Sequence, residues 1–418
     1  MTTSARRRVP WRVMACAAIV GLALRLLFGF SYWVGKPLTH DEQEYLALGA
    51  NLAAGRGFAY AEPAEGESRE QFGRAPLYPL FIAAIERGLP SVHPVVSVKM
   101  AQALIGAGTI LTIALLAAGA AGPRAAAIGA WGAAVYPPLV WMPAYILSET
   151  LYMALALSGV LALGALVDGP ITALRKRTAL PAVRRLAGAG VLAGLAALTR
   201  PAHLFFIALA CAWLVWRRRP LWAFVLVLAA ALAVAPWTAR NLREHGRIVL
   251  VASEGGVTFW TGNHPLSPGE GDMAANPAIK LDNQRLRARY PGLSPEALEP
   301  VYYREAFNTI AANPVWWLGL LVRKAFYLVV PIGPSYTLHS PRYLAASIVS
   351  YALLLPFGLA GALAIARSGR WPRALALLFV SAVLVCLVFF PQERFRAPVI
   401  DPALLVAAAG GLALRRGV

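Results

Sequence analysis

Two adjacent carboxylates, Asp41 and Glu42, follow an apolar run in Thr39-His40-Asp41-Glu42-Gln43-Glu44-Tyr45-Leu46. At a bilayer surface a carboxylate is partly desolvated and can serve as a general base. The same spacing fits a plainer role. Thr39 with Glu42 matches a capping box, Tyr45, Leu48 and Leu52 fall on one helical face, and Gly55 suits the position after a helix end. Acids in a first turn also complement the helix dipole. Arg74 lies in Gly73-Arg74-Ala75-Pro76-Leu77-Tyr78-Pro79, where two prolines bracket a rigid turn. A guanidinium held there can grip a phosphate through two nitrogens, or anchor the chain at the headgroups. Further charges sit at the edges of apolar runs: Glu149 in Ser148-Glu149-Thr150, Arg200 in Leu198-Thr199-Arg200-Pro201, and Arg240 in Pro236-Trp237-Thr238-Ala239-Arg240-Asn241. Arg394 and Arg396 stand two apart in Gln392-Glu393-Arg394-Phe395-Arg396-Ala397-Pro398. In a membrane protein such a charge costs a few kcal/mol unless it is paired or lines a cavity, so each is a candidate for function. Snorkelling to the interface is the alternative.

The elements that must position these groups are membrane helices. The chain has 418 residues, 58% hydrophobic and 14% charged. A soluble domain carries roughly 25% charged residues. Apolar runs at 12–33, 94–120, 124–141, 144–167, 186–200, 201–216, 220–237, 344–366, 373–391 and 397–414 approach the ~20 residues that cross a bilayer. A net charge of +19 would suggest nucleic acid in a soluble protein. Here the charge is parcelled between spans, so nucleic acid is not an expected partner. The termini and the short loops at 121–126, 168–185, 217–219 and 367–373 hold 18 Lys and Arg and one acid, whereas 238–312 holds eight of each sign. The positive-inside rule therefore places those loops in the cytoplasm and the segments 34–93 and 238–312 outside.

This parity predicts ten crossing helices. It leaves 314–332 as an interfacial or re-entrant helix, with Trp316, Trp317, Arg323 and Lys324 at headgroup level. The stretch 76–90 is likewise short and amphipathic. The expected organisation is an N-terminal membrane module (1–237, including loop 34–93), an external subdomain (238–312) and a C-terminal membrane module (313–418). Val249–Ala252 and Val257–Trp260 are candidate strands, and 295–312 is a helix started at Ser294, so the subdomain is expected to be a small α/β unit. Pro201 and Pro236 are expected to break helices. The acidic stretch 62–70 is expected to be flexible. Cys16, Cys211 and Cys386 lie within apolar runs and give no metal or disulfide spacing. His264, in the turn Gly262-Asn263-His264-Pro265, is a lone imidazole, more often not a ligand.

Together these motifs resemble the membrane glycosyltransferases of the GT-C superfold, in the branch that uses polyprenyl-phosphate sugars. That branch includes the lipid A aminoarabinose transferases, the galacturonic acid transferases of rhizobial lipid A and the protein O-mannosyltransferases. The resemblance runs through most of the chain, and its order and spacing are specific for the branch rather than for a substrate. It implies an all-α polytopic membrane protein with interfacial helices. It implies Asp41 as base with Glu42 in support. Arg74, Arg200, Arg240, Arg394 and Arg396 become the groups for the donor phosphate, and Glu149, Tyr78, Asn263 and His264 those for acceptor or sugar. Where some members carry Lys and paired prolines, this chain has Arg74-Ala75-Pro76.

The chemistry agrees. A lipid phosphate is a weak base and leaves without a general acid, provided cations stabilise its developing charge. The attacking hydroxyl needs one proton acceptor. A single base implies direct displacement with inversion, and no Gly-rich nucleotide loop is evident. The reading is thus an inverting glycosyltransferase of the bacterial cytoplasmic membrane, active on its external, periplasmic face. Its partners would be a polyprenyl-phosphate sugar, membrane lipids and a lipid, glycan or protein acceptor. No cofactor is certain. Glu42, Glu149 and His264 could contribute to a divalent cation site, though no ligand spacing marks one. The alternative from another class is a lipid or sugar transporter or flippase.

Overall fold

The computed structural model describes residues 9–33, 35–59, 73–168, 179–335 and 340–415. The acidic stretch 62–70 and most of the basic loop 168–185 lie outside the described residues. The described residues form helices and connecting segments, with no strand among them. In chain order the helices are α1 (Trp11–Leu27, continued by a π turn over Phe28–Tyr32), α2 (His40–Ala53), α3 (Leu77–Gly88) and α4 (Pro94–Ala121). Next come α5 (Pro123–Val135), α6 (Pro137–Trp141), α7 (Glu149–Val167), α8 (Ala179–Thr199), α9 (Leu204–Trp216) and α10 (Pro220–His245). The segment 238–312 holds α11 (Gly255–Gly262), α12 (Pro277–Ala288) and α13 (Pro295–Ala312). The chain closes with α14 (Pro314–Val329), α15 (Pro341–Arg367), α16 (Arg373–Val388), α17 (Glu393–Arg396) and α18 (Ile400–Arg415).

Six of these are long and apolar enough to cross a membrane: the α1–π run, α4, α7, α8, α10 and α15. The pair α5–α6, bent by 63° at Tyr136-Pro137, makes a seventh if it is one span. The protein is therefore an integral membrane protein. Three more expected spans form shorter helices: α9 has 13 residues, α16 and α18 have 16 each. At 1.5 Å per residue, 16 residues reach about 24 Å, short of a ~30 Å hydrocarbon layer.

Small residues let these helices approach closely. Gly361 of α15 faces α18 so tightly that a Cβ would lie 2.0 Å from the Ala407 carbonyl oxygen, and Gly411 of α18 meets the Gly361 Cα in return. This is the packing expected where no hydrophobic force separates helix from lipid. Two buried arginines find different partners. Arg396 lies 3.0 Å from Asp401 and 3.5 Å from the centre of the Tyr351 ring, and Arg25 donates to the Gly21 carbonyl at 2.8 Å.

The structure corrects four expectations. The segment 238–312, expected to be a small α/β unit, is helical. Residues 257–260 lie within α11, whose Val257 and Trp260 pack against Leu298 and Tyr302 of α13. A short apolar run fits either period, and here the acceptor that decides it is Glu299, which takes the Gly256 amide at the start of α11 (3.3 Å). Segment 249–251 is satisfied by side chains instead of a partner strand. Trp237 Nε1 donates to the Val251 carbonyl (2.7 Å) and Asn241 Nδ2 to that of Val249 (3.0 Å). Those bonds also explain the second correction: α10 runs through Pro236 to His245, because its last two turns are fastened to 249–251. Pro201, by contrast, does follow a break, with Arg200 extended between α8 and a short turn. Third, Lys324 does not snorkel to an exposed surface. It is fully buried, and its ammonium donates to Asn263 Oδ1 (3.1 Å) and the Leu387 carbonyl (3.0 Å). Arg323 beside it is exposed. Fourth, Glu149 opens α7 rather than lying within a span that begins at 144.

Gly361→Leu should overpack the α15–α18 crossing and cost about 1–3 kcal/mol. It should lower the thermal midpoint of the detergent-solubilised protein, while Leu359→Ala, on the exposed face of the same helix, should leave it near wild type.

Candidate active site

Local sequence folds α2 and thereby places Asp41. Thr39 caps the helix: its hydroxyl accepts from the Glu42 amide (3.4 Å), and Glu42 Oε2 accepts from the Thr39 amide (2.8 Å). Asp41 is thus held in the first turn, immediately after α1. Arg74 arrives from the turn before α3. The Gly73 carbonyl accepts from the Ser253 amide at 3.0 Å, and a Cβ on Gly73 would meet Ser253 Oγ at 1.9 Å, so only glycine allows this approach. Arg74 then meets three carboxylates: Nη2 lies 2.6 Å from Asp41 Oδ1, Nε 2.6 Å from Glu44 Oε2, and Nη1 3.3 Å from Glu254 Oε2. Its guanidinium lies 5.2 Å from the Tyr45 ring centre, and the Tyr45 ring meets Tyr78 edge-on.

The second cation reaches Asp41 from the other end of the chain. Arg394 on α17 places Nη1 2.8 Å from Asp41 Oδ2, Nη2 3.2 Å from Asp272 Oδ2 and Nε 2.9 Å from Gln392 Oε1. Both oxygens of Asp41 are therefore ion-paired. Burial alone would raise its pKa, but the charges of Arg74 and Arg394 outweigh burial and hold the carboxyl well below the usual range. Burial would lower Arg74 and Arg394, and the facing carboxylates hold both above the ordinary arginine value. Burial also pushes Glu44 up despite Arg74, and Tyr45 up to about 12. A third pair stands nearby: Arg200 Nη1 lies 2.7 Å from Glu149 Oε1, with its guanidinium 4.9 Å from the centre of the Phe395 ring. Glu149 Oε2 is buried and, among the described residues, has no hydrogen-bond partner, so it can accept from a hydroxyl.

Asp41, Tyr45, Arg74, Glu149, Arg200 and Arg394 line one cavity of about 740 Å³. One wall is apolar and comes from the helical bundle: Leu204 and Phe205 of α9, Ala382 and Val385 of α16, Pro398 and Val399. The middle carries Asp41, Arg74, Glu149, Arg200 and Arg394. The segment 248–303 adds Glu254, Thr258, Asp272, Lys280, Glu299 and Tyr303, with apolar neighbours such as Leu250 and Val257. A cavity lined by apolar side chains and paired cations suits an amphiphile with an anionic head.

No family model and no curated protein matches the sequence. Solved structures do. The oligosaccharyltransferase of Archaeoglobus fulgidus, tethered to an acceptor peptide, matches with a TM-score of 0.55 at 15% identity, over 96% of this chain and 49% of that one. The archaeal oligosaccharyltransferase AglB from the same organism, with an inhibitory peptide and a dolichol-phosphate, gives 0.56 at 16% identity, over 96% and 50%. The fold is GT-C. ArnT from Cupriavidus metallidurans bound to undecaprenyl phosphate matches over 96% of this chain and 77% of its own, at 15% identity and a TM-score of 0.43. The chain spans about half the length of the oligosaccharyltransferase chains it matches.

On this GT-C frame, five of the expected site residues come together in the cavity: Asp41, Arg74, Arg200, Arg394 and Glu149. Six do not line it, and each is occupied elsewhere. Glu42 completes the capping box and accepts from the Ile146 amide (2.9 Å), so it locks α2 to the start of α7. Tyr78 is fully buried, donates to Gln102 Oε1 (2.9 Å) and backs Tyr45. Arg240 stacks on Trp237 and Phe58. Arg396 pairs with Asp401, on the side of α17 away from Arg394. Asn263 accepts from Lys324 and from Trp317 Nε1 (3.0 Å). His264 packs edge-on against Trp260, with Nε2 3.7 Å from Asp282. Among the described residues, no three His, Cys, Asp or Glu groups converge as metal ligands would. Glu42, Glu149 and His264 therefore do not form a common cation site. Sequence reasoning missed Glu44, Glu254, Asp272 and Gln392. Only Glu44 carried a local signal, since i and i+3 on a helix share a face with Asp41.

Because the pKa of Asp41 is depressed on folding, it stabilises the native state above its unfolded value of 3.8, and that contribution is lost as the pH falls below it. The thermal midpoint of wild type should therefore drop more than that of Asp41→Asn when both are taken from about pH 6 to about pH 3. Equal drops would show that Asp41 is not charge-stabilised.

Proposed function

We propose that the protein is an inverting glycosyltransferase that moves a sugar from a polyprenyl-phosphate donor to an acceptor hydroxyl on the external face of a bacterial cytoplasmic membrane. The observation that carries this reading is one cavity in which a carboxylate is flanked by guanidiniums beside an apolar slot between helices. The slot would take the first isoprene units of the lipid. Arg394 and Arg200 would meet the phosphate, with Arg74 holding Asp41 in place. Glu149, with one carboxylate oxygen unpartnered, would accept a hydroxyl of the sugar or the acceptor.

In the reaction the acceptor oxygen forms a bond to the anomeric carbon of the donor sugar. The bond from that carbon to the phosphate oxygen breaks, and its electron pair leaves with the polyprenyl phosphate. The hydroxyl proton passes to a carboxylate oxygen of Asp41. Cations stabilise the departing phosphate dianion, so no general acid is required. The other carboxylates lining the cavity are each engaged: Glu149 with Arg200, Glu254 with Arg74, Asp272 with Arg394, and Glu299 with the Gly256 amide. Direct displacement with inversion of the anomeric centre follows. The external wall of the cavity, with Tyr303, Lys280 and Thr258, is where the acceptor would enter. The resting ion pairs also bear on binding. Each arginine of the cavity is already matched by acid, so a phosphate must exchange with a carboxylate rather than settle on a vacant cation.

Purified wild type and Asp41→Asn should be compared for transfer from a panel of synthetic polyprenyl-phosphate sugars to envelope acceptors. Loss of a positioned base is expected to cost about 10²–10⁴-fold in rate. Wild-type transfer by the asparagine variant, folded as judged by its elution and thermal midpoint, would refute the assignment.

A further inference from the structure

Asp41 presents a difficulty as a base. Both of its oxygens are held by guanidiniums, and a carboxylate so paired is a weak proton acceptor. One of the two partners must withdraw before it can take a proton. Arg74 is the fixed one: it is nine-tenths buried and spans Asp41, Glu44 and Glu254. Arg394 is the more accessible, with 31% of its side chain exposed, and it lines the cavity. Its three nitrogens are divided among three acceptors. Nη1 serves Asp41, Nη2 serves Asp272 and Nε serves Gln392.

Asp272 is built to keep its share. Its Oδ1 accepts from the amides of Ala274 (3.0 Å) and Ala275 (3.3 Å), which leaves Oδ2 for Arg394. Asn276 Nδ2 fastens the same loop through the carbonyls of Glu270 (3.2 Å) and Asp272 (2.8 Å). The loop also grips the arm that carries Arg394, since the Gly271 amide donates to the Pro391 carbonyl (3.3 Å). The external subdomain thus holds Arg394 at two points independent of Asp41.

We infer that Asp272 is a positioning residue that retains Arg394 while the donor phosphate displaces Asp41 from Nη1, so that donor binding frees Asp41 to act as base. The inference rests on the glycosyltransferase reading above. Only Nη1 has to exchange one anion for another; Nη2 and Nε keep the guanidinium in place. Acceptor deprotonation is then coupled to the presence of the leaving group, and an empty site holds its base paired. Removing the charge of Asp272 leaves Arg394 bound more fully to Asp41, and it also removes a negative charge that repels the phosphate. Turnover should fall while donor binding does not weaken.

The test is steady-state transfer by full-length protein in nanodiscs, varying the donor, with wild type, Asp272→Asn and Asp272→Glu, alongside direct binding of undecaprenyl phosphate as the probe. Losing one charge-assisted hydrogen bond should lower kcat of Asp272→Asn about tenfold. Its donor KM and its affinity for undecaprenyl phosphate should stay the same or tighten, and Asp272→Glu should restore kcat. A merely structural Asp272 would instead raise KM and lower the thermal midpoint, with no rescue by glutamate, and that result would overturn the proposal. So would wild-type kcat in Asp272→Asn. Absence of transfer by wild type from every donor, with undecaprenyl phosphate not bound, would overturn the glycosyltransferase reading itself.

Discussion

A carboxylate clasped by two guanidiniums governs the rest of this structure. Neither charge is tolerated there alone, since desolvation of a single ion costs several kcal/mol. Asp41, Arg74 and Arg394 must therefore be brought together, and they come from three distant parts of the chain. Asp41 is set by the first turn after α1, Arg74 by a glycine turn pinned to Ser253, and Arg394 by the segment between α16 and α18. The segment 238–312 adds Glu254 and Asp272 to the same network. Three distant parts of the chain meet at this one cluster of charge.

The same constraint explains the pairing deeper in the bundle. Arg396 finds Asp401, Arg200 finds Glu149, and Arg25 finds backbone carbonyls. What separates a structural pair from one in the cavity is what else surrounds it. Arg396 is sealed against Tyr351, whereas Arg200 and Arg394 line the cavity. Two arginines two residues apart, on opposite sides of the short helix α17, thus have different surroundings and different uses. The cavity combines apolar side chains, paired charges and polar groups, the kinds of surface that a lipid-linked sugar would need.

Much of this was legible in the sequence, because much of it is local. The capping box at Thr39 and Glu42, the break at Pro201, the start of α13 at Ser294 and most long spans follow from spacing and periodicity. So do the residue types of the cavity: Asp41, Arg74, Glu149, Arg200 and Arg394 are charges where a membrane protein should have few. Their partners were not legible. Nothing near Arg394 points to Asp272, which lies 122 residues away in a polar loop. Glu42 looked as chemical as Asp41, yet a single residue of helical rotation turns it to Thr39 and Ile146 instead of the cavity. The strand reading of 257–260 failed because a four-residue apolar run fits two periods, and long-range contacts with α13 chose the helix. Pro236 misled for a similar reason: the loss of one backbone donor was outweighed by side-chain bonds to 249–251.

The most direct test is a structure of the protein in nanodiscs with undecaprenyl phosphate. The account predicts the phosphate within hydrogen-bond distance of Arg394, the isoprene chain in the slot beside Phe205 and Val385, and Asp41 left with Arg74 as its sole cation. A phosphate bound elsewhere, with both guanidiniums still on Asp41, would contradict it.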